Sequence, residues 1–491
     1  MPPGQVRLPP GLDAAAVEVT GLAADSRQVR PGFLFAALAG LRQDGAGFIP
    51  DALSRGAVAV LAVPAALQAV PATVATLADP EPRHRLALLA ARFFGRQPRH
   101  VVAVTGTNGK TSTAVFAQGL WNALGLAAAS LGTLGLLGAA LPAGAAVPAM
   151  TTPDPVALQR TLAALAAGGC ERLAMEASSH GLAQHRLDGV TVRAAAFTNL
   201  SRDHLDYHGS MAGYRAAKLR LFDSLLVADG TAVVDADTDI AAEVAAIAAG
   251  RGQRLIRYGT AEGADLRISA LRADSAGSQL EARILGRHMH LSLPLAGAFQ
   301  VRNALAALGL VLGAEPDLDP ETAAAALAGL HGVPGRMQKV AMLGRRAAYI
   351  DYAHTPDALR TVLAAARPHC AGRLHVVFGA GGDRDSGKRP EMGRAAAAAA
   401  DKVVVTDDNP RSEAPAAIRA AILAAAPGAI EIGDREAAIA AALDAMADGD
   451  VLIVAGKGHE RGQIVGNEVL PFDDAEVTRR LAAARGWQVV P

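Results

Sequence analysis

Val104-Thr105-Gly106-Thr107-Asn108-Gly109-Lys110-Thr111-Ser112 is the stretch with the clearest chemistry. An apolar, strand-like run, His100–Val104, precedes it, and a helical run from Ser112 to about Leu124 follows. A glycine turn between a strand and a helix aims several backbone N–H groups and the positive end of the helix dipole at one point. Lys110 adds an ammonium there, and the Thr111 hydroxyl is placed to bind Mg2+. The residue types describe a phosphate cradle. It is a short variant, because Val104 stands where the usual pattern has its first glycine.

Three further side chains fit the same chemistry. Glu176 closes the strand-like run Arg172–Glu176 and so points into the crevice where the glycine turn opens. It is either a Mg2+ ligand or a carboxylate set against a helix dipole, and the neighbouring cradle favours the metal. His180, His185, His204 and His208 crowd one region, which suggests zinc. No cysteine joins them, however, and neither HGLAQH nor HLDYH carries the glutamate of a metalloprotease motif. His204 follows a strand end and is the functional candidate of the four. Lys218, in YRAAKLRLF, lies on a helix with one apolar side, where by itself it reads as a surface lysine.

These residues need a large scaffold. At 491 residues, 51% hydrophobic and 19% charged, the chain can bury extensive cores, enough for about two to four domains. Lys+Arg and Asp+Glu both number 47, so nothing points to nucleic acid. Cys170 and Cys370 are the only cysteines, which excludes a disulfide framework and fits a reducing cytoplasm. MPPGQVRLPPGLD lacks the basic and apolar regions of a signal peptide. The uncharged stretch from Ser112 to Pro153 is broken by Gly125, Gly132, Gly135, Gly138 and Pro142, so a buried helix, strands and a loop are expected rather than a membrane span.

The expected fold is α/β in three domains. Residues 1–98 alternate strands (Gly32–Leu38, Ala57–Ala62, Thr73–Ala78) with helices, the last about Pro82–Phe94. Residues 99–332 hold the cradle on a mostly parallel sheet of His100–Val104, Arg172–Glu176, Ala194–Asn199 and Thr231–Val234. There Leu266–Leu295 alternates as antiparallel strands do, and a helix covers about Val301–Leu312. In residues 333–491, strands Ala347–Asp351, Leu374–Phe378, Lys402–Thr406 and Val451–Ala455 run into YAHTPD, GAGGDRDSGKRP, DDNPR and GKGHE. Four polar loops beyond strand carboxyl ends predict one shared crevice.

TGTNGKT, EASSHG, NLSRDHLDYHG, GAFQVRNALAA, VPGRM, DYAHTPDAL, GGDRDSGKRP, DNPR and GKGHE occur in that order, and with them the chain resembles the Mur ligase family. It is most similar to the members that add the third amino acid of the peptidoglycan stem. The resemblance implies a small N-terminal UDP-binding domain, a central P-loop ATPase and a C-terminal Rossmann-like domain. It implies a cytoplasmic, monomeric, ATP-dependent ligase acting on UDP-N-acetylmuramoyl-L-alanyl-D-glutamate and, from DNPR, meso-diaminopimelate. Gly106, Thr107, Asn108, Gly109, Lys110, Thr111, Ser112, Asn303, Arg336 and Asp351 would bind ATP. Thr111, Glu176, His204 and Lys218, the last carbamylated by CO2 (N6-carboxylysine), would hold Mg2+, and Lys110 joins the last three in catalysis. Ser26, Thr151, Thr152, Ser178, Gln184 and Arg186 would grip the UDP-muramoyl dipeptide. Arg384, Asp408, Asn409, Arg411, Gly456 and Glu460 would bind diaminopimelate. The chain departs from the family at Leu41 and Arg42, where a His-Gln pair is usual, which leaves backbone contacts for the uracil. It departs again at Gln300, where asparagine is common. Folylpolyglutamate synthase and the D-Ala-D-Ala-adding enzyme share the P-loop, but DNPR with GKGHE separates the chain from them.

Overall fold

The computed structural model describes residues 5–11, 13, 16–40, 43–138, 150–274 and 277–490. Leu41 and Arg42 lie outside the described residues. The chain folds into three α/β bodies, each built on its own sheet.

The first sheet runs in the order Gln5–Arg7, Ala75–Ala78, Ala59–Ala62, Phe33–Ala36, Gly21–Ala23, parallel except for Gln5–Arg7 at one edge. Alternation sorts its side chains between two faces. Phe35, Val60 and Ala62 meet Ile49 and Leu67 on one side, while Leu34, Ala36 and Leu61 meet Leu86, Ala90 and Val156 on the other. Val156 belongs to helix Pro155–Ala167 of the second body, which packs along Pro82–Phe94. Pro82–Phe94 stops at Gly95, whose φ of 68° is left-handed.

The second sheet has ten strands. Its parallel centre is Leu266–Ala273, Arg254–Gly259, Leu226–Asp235, Val192–Phe197, His100–Thr105, Arg172–Glu176 and Ala128–Gly132. Gly135–Leu137 closes one edge, and the antiparallel strands Ser278–Ile284 and Arg287–Leu293 extend the other, as the alternation at 266–295 predicts. Helices Lys110–Ala123 and Ala298–Ala314 cover one face; beyond Gln300, Arg302 and Asn303 in its first turns, the second is apolar all round and buried. Pro155–Ala167, Met211–Arg220 and Ala241–Arg251 cover the other. Among the described residues no helix is long and apolar enough to cross a membrane.

The third sheet runs Ile430–Glu431, Lys402–Val405, Leu374–Phe378, Val451–Ala455, Arg346–Asp351, Gln338–Leu343, Gln488–Val489. The four strands expected to feed one crevice are consecutive neighbours in it, all parallel. Sequence reading did not anticipate the separate hairpin Gly462–Val465/Glu468–Pro471, which pairs with the DNPR loop through Arg411 and Val465.

Candidate active site

The glycine turn leaves strand His100–Thr105 and is braced by the end of its neighbour, Val192–Phe197. Asn199 Oδ1 accepts from Asn108 N at 2.9 Å, Asn199 Nδ2 donates to Asn108 O at 3.1 Å, and Thr107 N donates to Asn199 O at 2.9 Å. Gly106 and Gly109 have φ of 146° and 88°, and a Cβ would fall 1.9 Å from Thr198 Oγ1 and 2.4 Å from Asn303 Oδ1 respectively. Only glycine allows that approach. Gly109 leads directly into helix Lys110–Ala123, whose first turn carries Thr111 and Ser112. The Lys110 ammonium donates to the carbonyls of Gly106 (2.9 Å) and Thr107 (2.8 Å). Burial lowers its pKa, against the pull of Glu176 and Asp203.

Glu176 is buried at the carboxyl end of its strand, 1% exposed. Its Oε1 accepts from Thr133 N at 2.7 Å, and Thr133 Oγ1 lies 3.0 Å from Thr151 Oγ1. Thr152 Oγ1 donates to Glu176 O and accepts from Ser178 N, both at 3.0 Å. Arg186 reaches back to Thr152 O (2.7 Å) and to Gln184 Oε1 (2.7 Å). One network thus gathers Thr151, Thr152, Glu176, Ser178, Gln184 and Arg186. Ser26 is buried in the first body, in the short helix Ser26–Gln28.

Lys218 is fully buried and also donates to Gly106 O, at 2.7 Å. Its ammonium lies 4.5 Å from the Tyr214 ring, and among the described residues it has no carboxylate partner. Burial, with Lys110 nearby, pushes its pKa down to about 6. The four histidines divide into two groups. His180, His204 and His208 pack with Tyr207 and Tyr214, the His180 and His204 rings 4.8 Å apart. His185 turns away to Asp188 (2.8 Å), which also accepts from His84 of the first body (2.6 Å) and from Arg220 (3.1 Å). That second group has metal-ligand atom types, but the Arg220 guanidinium already supplies its positive charge.

VPGRM crosses from the second body to the third. Gln300 Nε2 donates to Arg336 O (2.8 Å), and Gln300 Oε1 accepts from Asn303 Nδ2 (2.9 Å). The Arg336 guanidinium stacks over Tyr352 at 4.8 Å. Asp351 is buried and accepts from Met337 N and Ala353 N, both at 2.8 Å. Burial raises its pKa to about 6.

At the third sheet, Asn409 Nδ2 donates to Glu460 Oε2 (2.9 Å), and Arg411 Nη1 donates to Gly382 O (2.8 Å). The hairpin closes over them: Ile464 N donates to Asn409 Oδ1 (2.9 Å), Gln463 Nε2 to Asp408 O (2.7 Å) and Arg411 N to Ile464 O (3.0 Å). Gly456 N donates to Asp351 O at 3.1 Å, tying GKGHE to the crossing segment. Arg384 is exposed on the neighbouring loop.

Residues 18–94 match the Mur ligase family catalytic domain, 104–311 the Mur ligase middle domain, and 335–458 the Mur ligase glutamate ligase domain. The UDP-N-acetylmuramoyl-L-alanyl-D-glutamate–2,6-diaminopimelate ligase of Bradyrhizobium diazoefficiens is 52% identical over 476 residues, 96% of each chain. The chain belongs to the Mur ligase family. The enzyme of the same name from Caulobacter vibrioides is 52% identical over 465 residues, 94% of each chain. A solved structure of a ligase of that name superposes on this Mur ligase with a TM-score of 0.73 at 34% identity, covering 95% of both chains. A MurF ligase from Thermotoga maritima in complex with ADP, at 20% identity and a TM-score of 0.60 over 96% of this chain and 98% of its own, shares the fold.

Sequence reading of this Mur ligase missed several groups that hold the site together. Asn199 sits in plain view in NLSRDH. The Tyr352 and His459 rings pack against one another at a tilt of 46°, centroids 5.1 Å apart. Arg435 is fully buried with Asp474 and donates to Ala455 O (2.9 Å) and Asp407 O (3.3 Å), bonding the stems of two loops together. Backbone geometry is a further marker. Among the described residues six non-glycine residues have positive φ, and five of them, His185, His204, Met337, Asp383 and Arg411, lie in the loops just described. The sixth, Leu285, is in a distant hairpin turn.

Proposed function

We propose that this Mur ligase is an ATP-dependent amide ligase joining meso-diaminopimelate to the D-glutamate of UDP-N-acetylmuramoyl-L-alanyl-D-glutamate, in cytoplasmic peptidoglycan precursor synthesis. The observation that carries the reading is the meeting of Asn409, Arg411 and Glu460, from two strand ends and under one hairpin, in a chain 52% identical to ligases of that name. Residues 1–98 would take the UDP end, 99–332 the ATP, and 333–491 the amino acid.

A carboxylate is a poor acyl donor, so phosphorylation by ATP supplies the leaving group. The γ-carboxylate oxygen of D-glutamate takes the γ-phosphoryl group of ATP, whose bond to the β-phosphate oxygen breaks, and ADP leaves. The free amine then attacks the acyl carbon, the C–O bond to phosphate breaks, the amine gives up a proton, and amide and phosphate result. The reacting groups are anions, so N–H groups and cations must neutralise them. The turn at 106–109 and Lys110 would do so for the triphosphate, with Asn303, Arg336 and Asp351 on the rest of the nucleotide. Thr151, Thr152, Ser178, Gln184 and Arg186 would hold the dipeptide and Ser26 the uridine.

Thr111, Glu176, His204 and a carbamate on Lys218 would hold Mg2+, which when bound offsets phosphate charge. The Lys218 amine fits this role: it is buried, lacks a counter-ion among the described residues and has a pKa of about 6, and only a neutral amine adds CO2. The deciding experiment is a ligation assay with meso-diaminopimelate against L-lysine. Amide formation with the first and little with the second is expected. Equal use of both would remove the assignment of the amino acid.

A further inference from the structure

Lys457, the lysine of GKGHE, is fully buried beneath the loops that the preceding section assigns to the amino acid. Its ammonium has three N–H donors. They meet Asn409 Oδ1 at 3.1 Å, Glu460 Oε2 at 3.3 Å and Gly462 O at 2.5 Å. Glu460 is the one carboxylate in salt-bridge range of it among the described residues. Each of those acceptors belongs to the pocket wall. Asn409 follows strand Lys402–Val405, Glu460 follows Val451–Ala455, and Gly462 opens the hairpin.

The consequence is directional. Asn409 Oδ1 receives both Lys457 Nζ and Ile464 N (2.9 Å), so the amide oxygen faces inward and Nδ2 faces Glu460 Oε2. An asparagine amide turned the other way would set its NH2 against the Lys457 ammonium and the Ile464 N–H, three donors with no acceptor. One Asn409 N–H and Glu460 Oε1 remain without a partner among the described residues. The wall therefore offers a donor and an anionic acceptor side by side. A carbon bearing both a carboxylate and an ammonium matches that pair; a bare terminal amine matches only half of it.

We propose that Lys457 is a positioning residue for amino-acid specificity, fixing the Asn409 amide and the Glu460 carboxylate so that the pocket reads an α-amino-acid end. The inference rests on the proposed function, since it takes these loops to be the amino-acid site. Lys457 itself touches no substrate.

The test compares wild type, Lys457→Met, Lys457→Gln and Glu460→Gln for the KM of meso-diaminopimelate, ATP and the UDP-muramoyl dipeptide, with near-UV circular dichroism for folding. Lys457→Met is expected to raise the diaminopimelate KM about ten- to hundredfold, the scale of lost charge-assisted hydrogen bonds, with the other two within about twofold. Lys457→Gln keeps donors at that place and should recover part of the loss. Combined with Glu460→Gln, the effect of Lys457→Met should shrink, because the residue acts through Glu460. Equal shifts in all three KM values, or additive effects in the double variant, overturn the proposal. If Lys457→Met does not fold, Lys457→Gln is read in the same cycle by the same criteria. If the wild type does not ligate diaminopimelate, the functional reading falls and the proposal with it; if it does and only the cycle fails, the proposal alone falls.

Discussion

Lys218 and Lys110 donate to the same carbonyl, Gly106 O, from two different helices. Burial penalises the charged Lys218 amine, and repulsion from the Lys110 ammonium adds to the cost, which is why the Lys218 pKa drops from 10.5 to about 6. The sign follows from proton counts. Between those values the unfolded chain holds the proton and the folded chain does not, so stability rises with pH through that window. For the same reason carbamate formation should appear above about pH 6, where the amine is neutral, and fade below it. A 13C signal from labelled CO2 on the wild type, missing in Lys218→Ala, is the measurement. Lys218→Ala should lose most ligase activity and regain part with short carboxylates. An unlabelled wild type at neutral pH would sink the idea. Arg411 gives the second residue-scale prediction. Its Nη1 donates to Gly382 O, and the rest of the guanidinium can pair with a carboxylate. Arg411→Ala should raise the KM for diaminopimelate about ten- to hundredfold and spare that for ATP; unchanged affinity would make Arg411 structural. Both residues were legible in sequence because their motifs are local. Lys457 was not, because its role depends on three acceptors from separate elements.

Braces between elements set the shape of the phosphate turn. Asn199, at the end of Val192–Phe197, makes two side-chain hydrogen bonds to the backbone of Asn108. At about 1 kcal/mol each, Asn199→Ala should weaken ATP binding by about tenfold or more, read as a rise in the KM for ATP with the diaminopimelate KM unchanged. A uniform loss of activity with a lower melting temperature would instead mean general unfolding. The parallel strands were readable because strands buried on both faces are continuous apolar runs, and Arg172–Glu176, Leu374–Phe378 and Val451–Ala455 begin and end as expected. Strand Leu226–Asp235 begins five residues ahead of the expected Thr231, because Ala228-Asp229-Gly230 looks like a turn yet continues the strand. The hairpin at 462–471 escaped notice for the opposite reason. Its second strand is exposed throughout, and its partner is a loop rather than a core.

Across the whole molecule, three sheets are joined by short crossings near residues 98 and 332, and both joints carry polar contacts. Asp188 links to His84 across the first. At the second, His369 Nε2 accepts from Gly297 N (2.9 Å), and Nδ1 lies 2.7 Å from Asp274 O. An acyl phosphate formed on one body must meet an amine held by another within about 3–3.5 Å, sheltered from water. Both joints are therefore expected to act as hinges. Small-angle scattering should report a smaller radius of gyration with ATP and both other substrates than without. Superimposable profiles would mean an enzyme already closed. The three α/β bodies were legible from the alternating strand-like and helical runs, but the contacts across them were not. They bring together residues more than seventy positions apart in sequence, such as His84 and Asp188 or Gly297 and His369.

The six left-handed side chains divide the molecule for anyone who would engineer it. Leu285 is exposed, in the turn Leu285-Gly286 between Ser278–Ile284 and Arg287–Leu293. Asparagine tolerates that conformation far better than leucine. Leu285→Asn should therefore raise the melting temperature, with a gain of about 0.5–1 kcal/mol, and leave turnover unchanged. A screen for thermal resistance would accept it at once. At Arg411 or His204 the same screen would accept a relaxed backbone and discard the working side chain. Durability and activity are in competition at those positions and independent at Leu285, so a thermostable variant of this enzyme should be sought first at Leu285.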